Sequence, residues 1–284
     1  MSGEHPRALL ARWGLRPKKR YGQNFLMDAA AARRIARLSV SPVGDAPQTE
    51  KRSTVLEIGA GTGTLTRALL DEGADVTALE IDPDLAALLR SREDLAAAHV
   101  VEADALEFDY AAWSDGKTWR VAGNLPYNVA TPLVLRFAHM QAPPEVVTVM
   151  VQKDVADRFS AKPATAAYGS LSVSLKYAMH VRRAFTLGPR SFYPSPRVDS
   201  TVVQLIARAQ PAVRPRDVEL FWKVVRGAFA YRRKTLANSL MLSLGIERDR
   251  IELALAASHL PAEQRGERLD LDDFARLADA LAEG

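Results

Sequence analysis

The chain has 284 residues, of which 48% are apolar and 25% charged, a composition typical of one large globular domain or of a large and a small one. It contains no cysteine, which excludes disulfides and thiolate metal sites. No segment approaches the roughly 20 apolar residues of a membrane-spanning helix, and the basic N-terminus lacks the apolar core of a signal peptide. We therefore expect a cytoplasmic protein with neither a membrane nor a metal partner.

The net charge of +4 is unevenly distributed along the chain. Residues 1–37 hold nine Lys/Arg against two acidic residues, a net of +7. Residues 176–234 hold thirteen against three, a net of +10, which leaves −13 for the remainder. Basic surface attracts polyanions, so the distribution favours nucleic acid as a partner, with a set of solvated arginines as the alternative.

The first two thirds of the chain alternate between short apolar runs and helical patterns. Residues 41–53 are rich in Pro, Gly and charge and predict a loop. The predicted strands that follow are TVLEIGAG (54–61), DVTALEID (75–82), HVVEADAL (99–106), TWRVAGNLPY (118–127) and VVTVMVQKD (146–154). Helical spacing separates the first three, in TLTRALLDEG (64–73) and PDLAALLRSRED (83–94), and Pro83 after Asp82 is a favourable helix start. This alternation predicts a parallel sheet with helices on both faces.

The pattern changes after Tyr168. YGSLSVSLKYAMHVRRAF (168–185) and DSTVVQLIARA (199–209) predict antiparallel strands at one edge of the sheet. Four segments of helical periodicity follow: 217–230, 235–244, 248–258 and 271–283. We therefore predict an α/β domain over residues 1–208, with a Rossmann-like sheet and an antiparallel edge, and a small all-α domain over residues 209–284.

Glycines and carboxylates stand at the carboxyl ends of the first three predicted strands. These ends line the ligand side of an open parallel sheet. Glu57 opens EIGAGTG (57–63), whose glycines allow a sharp turn and a close approach to a ligand. Glu80 ends the second strand and can bind ribose hydroxyls, and Asp104 ends the third, where it can meet an adenine amino group. The fingerprint of nicotinamide dinucleotides, G-x-G-x-x-G, is not met because Thr64 takes the last position.

The segment NLPY (124–127) follows the fourth strand and reaches the same rim. The Asn124 side-chain oxygen and the Leu125 carbonyl are two hydrogen-bond acceptors. Pro126 restricts the backbone conformation of Leu125, the residue before it. Two such acceptors can take both hydrogens of the adenine amino group and favour a pyramidal, nucleophilic nitrogen. The predicted ligand of the neighbouring strand ends contains adenosine and is cationic. S-adenosylmethionine meets both conditions, and its methyl sulfonium is an electrophile that this nitrogen can attack.

These motifs resemble those of the ribosomal RNA adenine dimethyltransferases. LEID (79–82), EADAL (102–106) and NLPY carry the catalytic part of the resemblance; KKRYGQNFLMD (18–28), SFYPSPRVDS (191–200) and FAYRRKTLANSL (229–240) narrow it to the kasugamycin-sensitivity enzymes. It runs from about Lys18 to the C-terminal helices. The family implies dimethylation of two adjacent adenosines near the 3′ end of 16S rRNA in the small ribosomal subunit. We further expect the protein to act as a monomer.

The resemblance also implies roles for individual residues. The family's cofactor-binding positions are Gln23, Asn24, Leu26, Gly59, Gly61, Gly63, Glu80, Ile81, Asp104, Ala105 and Asn124. Its catalytic positions are Asn124, Leu125, Pro126, Tyr127 and Phe192. Asn124 and the Leu125 carbonyl would hold the target amino group, and Tyr127 and Phe192 would stack on the flipped base. Without the resemblance, the sequence is equally consistent with structural roles for these residues. Gln23 and Asn24 could cap helices, and Phe192 could be an aromatic residue of the core.

The consecutive cations Arg232, Arg233 and Lys234 are predicted to dock the protein on rRNA. On a helix they would spread over about 200°, so they cannot all face one apolar partner. Phe229, Leu236 and Leu240 are expected to pack inward. Two alternatives stay open: a large-subunit adenine dimethyltransferase of the erythromycin-resistance type, and a non-catalytic RNA-binding factor of the same fold.

Overall fold

The computed structural model describes residues 5–41 and 52–283, with the side chain of Tyr127 outside the described part. Most of the loop predicted over residues 41–53 therefore lies outside the described residues. The chain divides into two compact units: the first comprises Met1–Ala156 and Val181–Ala207, and the second Asp157–His180 and Arg208–Gly284. The division into functional domains at residue 208 stays a prediction.

Nine strands occur in the described chain. They are β1 (Phe25–Leu26), β2 (Thr54–Ile58), β3 (Asp75–Glu80), β4 (His99–Glu102), β5 (Arg120–Asn124), β6 (Val146–Gln152), β7 (Met179–Leu187), β8 (Phe192–Tyr193) and β9 (Ser200–Ala207). Seven of them form one sheet in the order β4-β3-β2-β5-β6-β9-β7. The strands from β4 to β6 are parallel, and β9 runs antiparallel to β6. This confirms the predicted α/β sheet with an antiparallel edge.

The described helices are α1 (Pro6–Arg12), α2 (Ala29–Val40), α3 (Thr64–Asp71), α4 (Pro83–Ser91), α5 (Tyr110–Ser114), α6 (Tyr127–Ala138), α7 (Lys153–Phe159), α8 (Ser170–Ala178), α9 (Val218–Ala230), α10 (Leu236–Leu244), α11 (Arg248–Ala257) and α12 (Leu271–Glu283). Several begin where the sequence supplies a cap. The Asp82 carboxylate accepts from the Asp84 amide at the start of α4, and Pro83 takes the first helical position. No helix of the described chain has the length and apolarity needed to cross a membrane.

The central strands are buried on both faces, as parallel sheets covered by helices require. Val55, Leu56 and Val121 have no exposed surface. Gly123 lies where β5 meets β2, and a β-carbon there would come within 2.6 Å of the Ile58 carbonyl oxygen. A side chain at position 123 would push these two strands apart, just before the polar segment that starts at Asn124.

In the second unit, helices α8 to α12 pack around one apolar core that includes Phe221, Leu236 and Phe274. The four helices predicted after residue 208 are confirmed. The strand predicted at the start of YGSLSVSLKYAMHVRRAF is wrong, because Ser170–Ala178 is helix α8 and only Met179–Leu187 is a strand. Ser170, Ser172 and Ser174 alternate with apolar residues as in a half-exposed strand, but Ser172 is itself buried, and its hydroxyl donates to the Arg158 carbonyl at 2.6 Å.

Candidate active site at the carboxyl ends of the strands

Two adjoining cavities open at the carboxyl ends of the parallel strands. The first, about 100 Å³, is lined by residues of the segments 21–26, 57–65 and 124–126. The second, about 270 Å³, is lined by residues at the ends of β2, β3 and β4 and by Pro126. Tyr21, Gly59, Ile81 and Pro126 line both, so the two cavities form one cleft. A cleft in this place is the ligand site that the topology of an open parallel sheet creates.

Two of the three predicted glycines face the cleft. Gly59 and Gly61 have φ angles of +71° and +58°, which residues with a β-carbon rarely adopt. A β-carbon on Gly61 would also lie 3.0 Å from the ring of Phe25. Gly63 lines neither cavity, and a β-carbon there would come within 2.5 Å of Leu95. The structure therefore assigns Gly63 a packing constraint, whereas the first two shape the cleft.

Glu57 is a buried carboxylate in the wall of the first cavity. It is 1% exposed, and its Oε2 has no hydrogen-bond partner among the described residues. Burial raises the pKa of Glu57 to about 8, and the nearby carboxylate of Glu80 contributes in the same direction. Hydrogen bonds from Thr66 act against this rise in pKa, but they leave Oε2 without a partner. A buried carboxylate oxygen of this kind suits a ligand that brings a positive charge, because the ion pair then compensates for lost hydration.

Glu80 is held rigidly at the end of β3. Its Oε2 accepts from the Gly61 amide at 2.8 Å and its Oε1 from the Asp82 amide at 3.0 Å. Burial raises the pKa of Glu80, although these two hydrogen bonds act in the opposite direction. Each oxygen keeps a second lone pair, so the fixed carboxylate can still accept from the hydroxyls of a ribose.

Asp104, Ala105 and Ile81, which were predicted to bind the cofactor, all line the second cavity. One oxygen of Asp104 accepts from the Leu106 amide at 2.8 Å, which fixes the side chain after β4. Ile81 and Leu106 are 40% and 39% exposed. These two apolar side chains offer a surface on which a flat aromatic ring can lie.

The segment after β5 presents two acceptors at the mouth of the first cavity. The Asn124 Nδ2 donates to the Asn24 carbonyl at 2.7 Å, and its Oδ1 has no donor among the described residues. The Leu125 amide donates to the Met150 carbonyl at 3.0 Å, whereas no described backbone amide donates to the Leu125 carbonyl. Pro126 precedes α6, which begins at Tyr127. The predicted stacking by the Tyr127 side chain lies outside the described residues and stays a prediction.

Residues 18–26 are here termed the strap, and the part of it from Tyr21 to Leu26 lines the first cavity. Its end is β1, which pairs with β8 through Phe25↔Tyr193 and Leu26↔Phe192. Gln23, predicted to bind the cofactor, uses both of its polar atoms within the protein: Nε2 donates to Asp82 at 2.9 Å, and Oε1 accepts from the Lys18 amide at 2.7 Å. Its side chain therefore holds the strap in place over the cleft.

Lys18 is a polar contact of the strap that sequence reasoning did not single out. Its ammonium donates to Asp82 at 2.7 Å and to Asp84 at 2.6 Å. Burial alone would raise the pKa of Asp82, but the hydrogen bonds from Lys18 and Gln23 outweigh it and lower that pKa. The partners are 64 and 66 positions apart, so no local pattern in the sequence could have indicated the pairs.

Phe192 does not lie at the cleft in this structure. The ring is 3% exposed and belongs to an apolar cluster with Leu26 and Met150. A buried ring presents no face to a base, so stacking would require Phe192 to leave this cluster. The alternative interpretation of Phe192 as a core aromatic matches its position in this structure. Its role in stacking on a base stays a prediction.

The three consecutive cations of the second unit lie in the turn between α9 and α10. The assumption that they sit on a helix is wrong, because α9 ends at Ala230 and α10 begins at Leu236. Arg232, Arg233 and Lys234 are all exposed, and the Arg232 guanidinium donates to the Ala166 carbonyl at 3.2 Å. Leu236 and Leu240 are buried, as expected.

With this geometry in place, comparison with known proteins decides the family. The chain matches the family described as Ribosomal RNA adenine dimethylase over residues 14–282. It belongs to this family. The curated Ribosomal RNA small subunit methyltransferase A of Streptococcus gordonii is 40% identical over 97% of this chain and 95% of its own. That of Hahella chejuensis is 39% identical over 94% and 93%.

Solved structures share the fold. The 23S rRNA methyltransferase ErmE is 27% identical, with a TM-score of 0.69 over 91% of this chain and 100% of its own. A dimethyladenosine transferase from Plasmodium falciparum is 22% identical, with a TM-score of 0.68 over 89% and 95%, and supports the fold alone.

The protein is therefore an rRNA adenine dimethyltransferase, and its cofactor is S-adenosylmethionine. The cleft fits this cofactor. The unpartnered Oε2 of Glu57 matches the ammonium group of the methionine part, and Gly59 and Gly61 leave room beside it. No cluster of metal-ligating side chains occurs among the residues that the structure describes.

Proposed function

We propose that this dimethyltransferase acts in the cytoplasm, as a monomer, on the 16S rRNA of the small ribosomal subunit during ribosome biogenesis. Its targets are two adjacent adenosines near the 3′ end, each methylated twice on N6. The support comes from curated relatives about 40% identical over nearly the whole chain, which carry the name Ribosomal RNA small subunit methyltransferase A. The likeness to ErmE, named for 23S rRNA, is weaker at 27% identity.

The observation that carries the chemistry is the pair of acceptors after β5. The Asn124 Oδ1 and the Leu125 carbonyl are both without a described donor and belong to adjacent residues. They would accept the two hydrogens of the adenine amino group and so draw its nitrogen toward a pyramidal, nucleophilic form. These bonds strengthen as the nitrogen becomes cationic, so they stabilise the transition state more than the ground state.

The cofactor supplies a methyl group bound to a sulfonium. Glu57 would hold its ammonium, Glu80 its ribose hydroxyls and Asp104 its adenine amino group. Gly59 and Gly61 would pass beneath the methionine part, and the strap with Gln23, Asn24 and Leu26 would cover it. The bound methyl and the target nitrogen then meet within one cleft, and this alignment accounts for much of the rate. No strong base is required, because the amino proton becomes acidic after transfer.

The target base would leave its helix and enter the first cavity, with Tyr127 stacked against it. Phe192 would be the second stacking ring, which requires its side chain to rotate out of the cluster with Leu26 and Met150. On the second unit, the exposed turn of Arg232, Arg233 and Lys234 would contact rRNA phosphates and so position the protein without reading sequence.

Methyl transfer to ribosomal subunits tests this proposal. Purified protein and labelled cofactor are incubated with small subunits that lack the modification, with large subunits, and with naked 16S rRNA. We expect dimethyladenosine in the small-subunit reaction and none in the large-subunit one. Labelling of large subunits alone would favour the ErmE-like activity. Binding of the cofactor without transfer to any RNA would favour a non-catalytic RNA-binding factor.

A further inference from the structure

The side-chain amide of Asn124 has two ends with opposite hydrogen-bonding character. Only its oxygen can accept from an adenine amino group, because the NH₂ group is a donor. In the structure the Nδ2 donates to the Asn24 carbonyl at 2.7 Å, which turns the Oδ1 away from that carbonyl. The reverse orientation would place two oxygens at this short distance with no hydrogen between them. The Asn24 carbonyl thus discriminates between the two orientations of the amide.

The Asn24 carbonyl is itself held in place by the strap. On its C-terminal side, Phe25 and Leu26 are buried and pair with β8, and the Met27 amide donates to the Ser191 carbonyl at 2.8 Å. Next to it, the Asn24 side chain donates to the Gly22 carbonyl at 3.1 Å. A backbone carbonyl fixed on both sides can act as a reference point for the Asn124 amide.

On its N-terminal side, the strap is fixed to the start of α4. The Lys18 ammonium bridges Asp82 and Asp84, and Gln23 donates to the second oxygen of Asp82. Asp82 is 1% exposed, so this contact is shielded from solvent although Lys18 is partly exposed. The described contacts therefore connect α4, the strap and the acceptor segment after β5 within the first unit.

We propose that the Asn24 carbonyl orients the Asn124 amide for methyl transfer, and that Lys18 is a positioning residue that acts through the strap. The inference rests on the proposed function, since only an amino-group target requires the Oδ1 to be presented. It explains why position 124 holds asparagine: aspartate offers the same acceptor toward the target, but it has no N–H for the Asn24 carbonyl. Its second oxygen would repel that carbonyl.

The first test compares Asn124→Asp with Asn124→Ala. In the aspartate variant we expect single-turnover transfer to fall about a hundredfold, although an acceptor oxygen is retained. Hydrogen exchange of the Met27 amide should be faster in Asn124→Asp than in Asn124→Ala, because only the carboxylate repels the strap. Transfer within about threefold of the unchanged protein, or equal exchange in the two variants, would overturn the role of the Asn24 carbonyl.

The second test uses Lys18→Met, Lys18→Arg and the neighbouring Lys19→Met as a matched control. Lys19 is exposed, and its side chain makes no hydrogen bond or ion pair among the described residues. With cofactor and RNA both saturating, we expect Lys18→Met to transfer about tenfold more slowly, and Lys18→Arg and Lys19→Met to stay within about twofold. A Lys18→Met variant that reaches the normal rate at saturation, with only its cofactor affinity lowered, would refute positioning.

Hydrogen exchange separates this inference from the proposed function. It is measured on the protein with cofactor and needs neither RNA nor transfer. If the unchanged protein failed to methylate small subunits while the Met27 amide exchanged faster in Asn124→Asp than in Asn124→Ala, the function would fail and the coupling would stand. Normal methylation with equal exchange in both variants would leave the function intact and remove the coupling.

Discussion

The cleft of the first unit and the cationic turn of the second use charge in opposite ways. In the cleft, Glu57 and Glu80 are at most 5% exposed, and Glu80 is fixed by backbone amides. In the turn, Arg232, Arg233 and Lys234 are exposed to solvent. Water and salt screen exposed charges, whereas buried ones interact at low dielectric. Single changes in the cleft should therefore have large effects, and single changes in the turn small ones.

The largest effect is expected for Asn124→Ala, which removes the acceptor with no described donor. We expect single-turnover methyl transfer to fall by roughly a hundredfold to a thousandfold, or about 3–4 kcal/mol in activation free energy, by analogy with loss of one oxyanion donor. Calorimetry should show a much smaller loss of cofactor affinity, because the proposed partner of the Asn124 side-chain oxygen is the target amino group. A variant that turns over at the normal rate would remove Asn124 from the chemistry.

Glu57 should make the stability of the cofactor-free protein depend on pH. Because burial raises the pKa of Glu57 to about 8, the native state keeps a proton that the unfolded state has lost above its ordinary pKa. Stability is therefore lost as the pH rises, by roughly 3 kcal/mol between about pH 5 and pH 8.

Urea unfolding at a series of pH values measures this slope. Glu57→Gln should flatten it over that range, while Glu107→Gln, at an exposed position, should leave it unchanged. Equal slopes in the unchanged protein and in Glu57→Gln would show that this carboxylate ionises as in solvent.

Glu80→Gln should weaken cofactor binding by about 1.5–3 kcal/mol, because a charge-assisted hydrogen-bond acceptor for a ribose hydroxyl is lost. Glu102 provides a matched control, since it pairs with Glu80 across β3 and β4 but is exposed. Titration calorimetry with both variants decides the point. If Glu80→Gln and Glu102→Gln bind the cofactor equally well, Glu80 does not hold the ribose.

The smallest effect is expected in the second unit. Replacing Arg232 and Arg233 by Ala should make small-subunit binding less sensitive to salt. The slope of the logarithm of the binding constant against the logarithm of salt concentration should become shallower by roughly 0.7–0.9 per lost phosphate contact. Cofactor affinity should stay unchanged. Lys117→Ala, an exposed cation outside both basic segments, serves as the control. An unaltered slope in the double variant would make these arginines ordinary solvated side chains.

Much of the fold and the position of the cleft could be predicted from local sequence patterns. The apolar runs that end before Gly59, at Glu80 and at Asn124 identify strand ends, and the order of strands and helices places those ends on one rim. Asp82 followed by Pro83 correctly predicts the start of α4. These patterns involve residues close together in the chain, so they can be recognised without knowledge of tertiary contacts.

The remainder depends on contacts between distant residues. The strand predicted over α8 is wrong, and the hydroxyl of its buried Ser172 is satisfied by the carbonyl of Arg158, 14 positions away. The bridge from Lys18 to Asp82 joins residues 64 positions apart and leaves no periodic trace. The resemblance implies that Phe192 stacks on the target base, yet its ring is buried with Leu26 and Met150 in this structure. Packing of this kind becomes visible only in the folded chain.

The most direct measurement is the single-turnover rate of methyl transfer as the concentration of small subunits is raised to saturation. It is compared for the Asn124→Ala variant and for the double variant Arg232→Ala, Arg233→Ala. The double variant should reach the normal rate once subunits saturate, because it has lost only docking, while Asn124→Ala should stay slow at every concentration. The reverse result, a rescued Asn124→Ala and a double variant that stays slow at saturation, would contradict the assignment of chemistry to the cleft and docking to the turn.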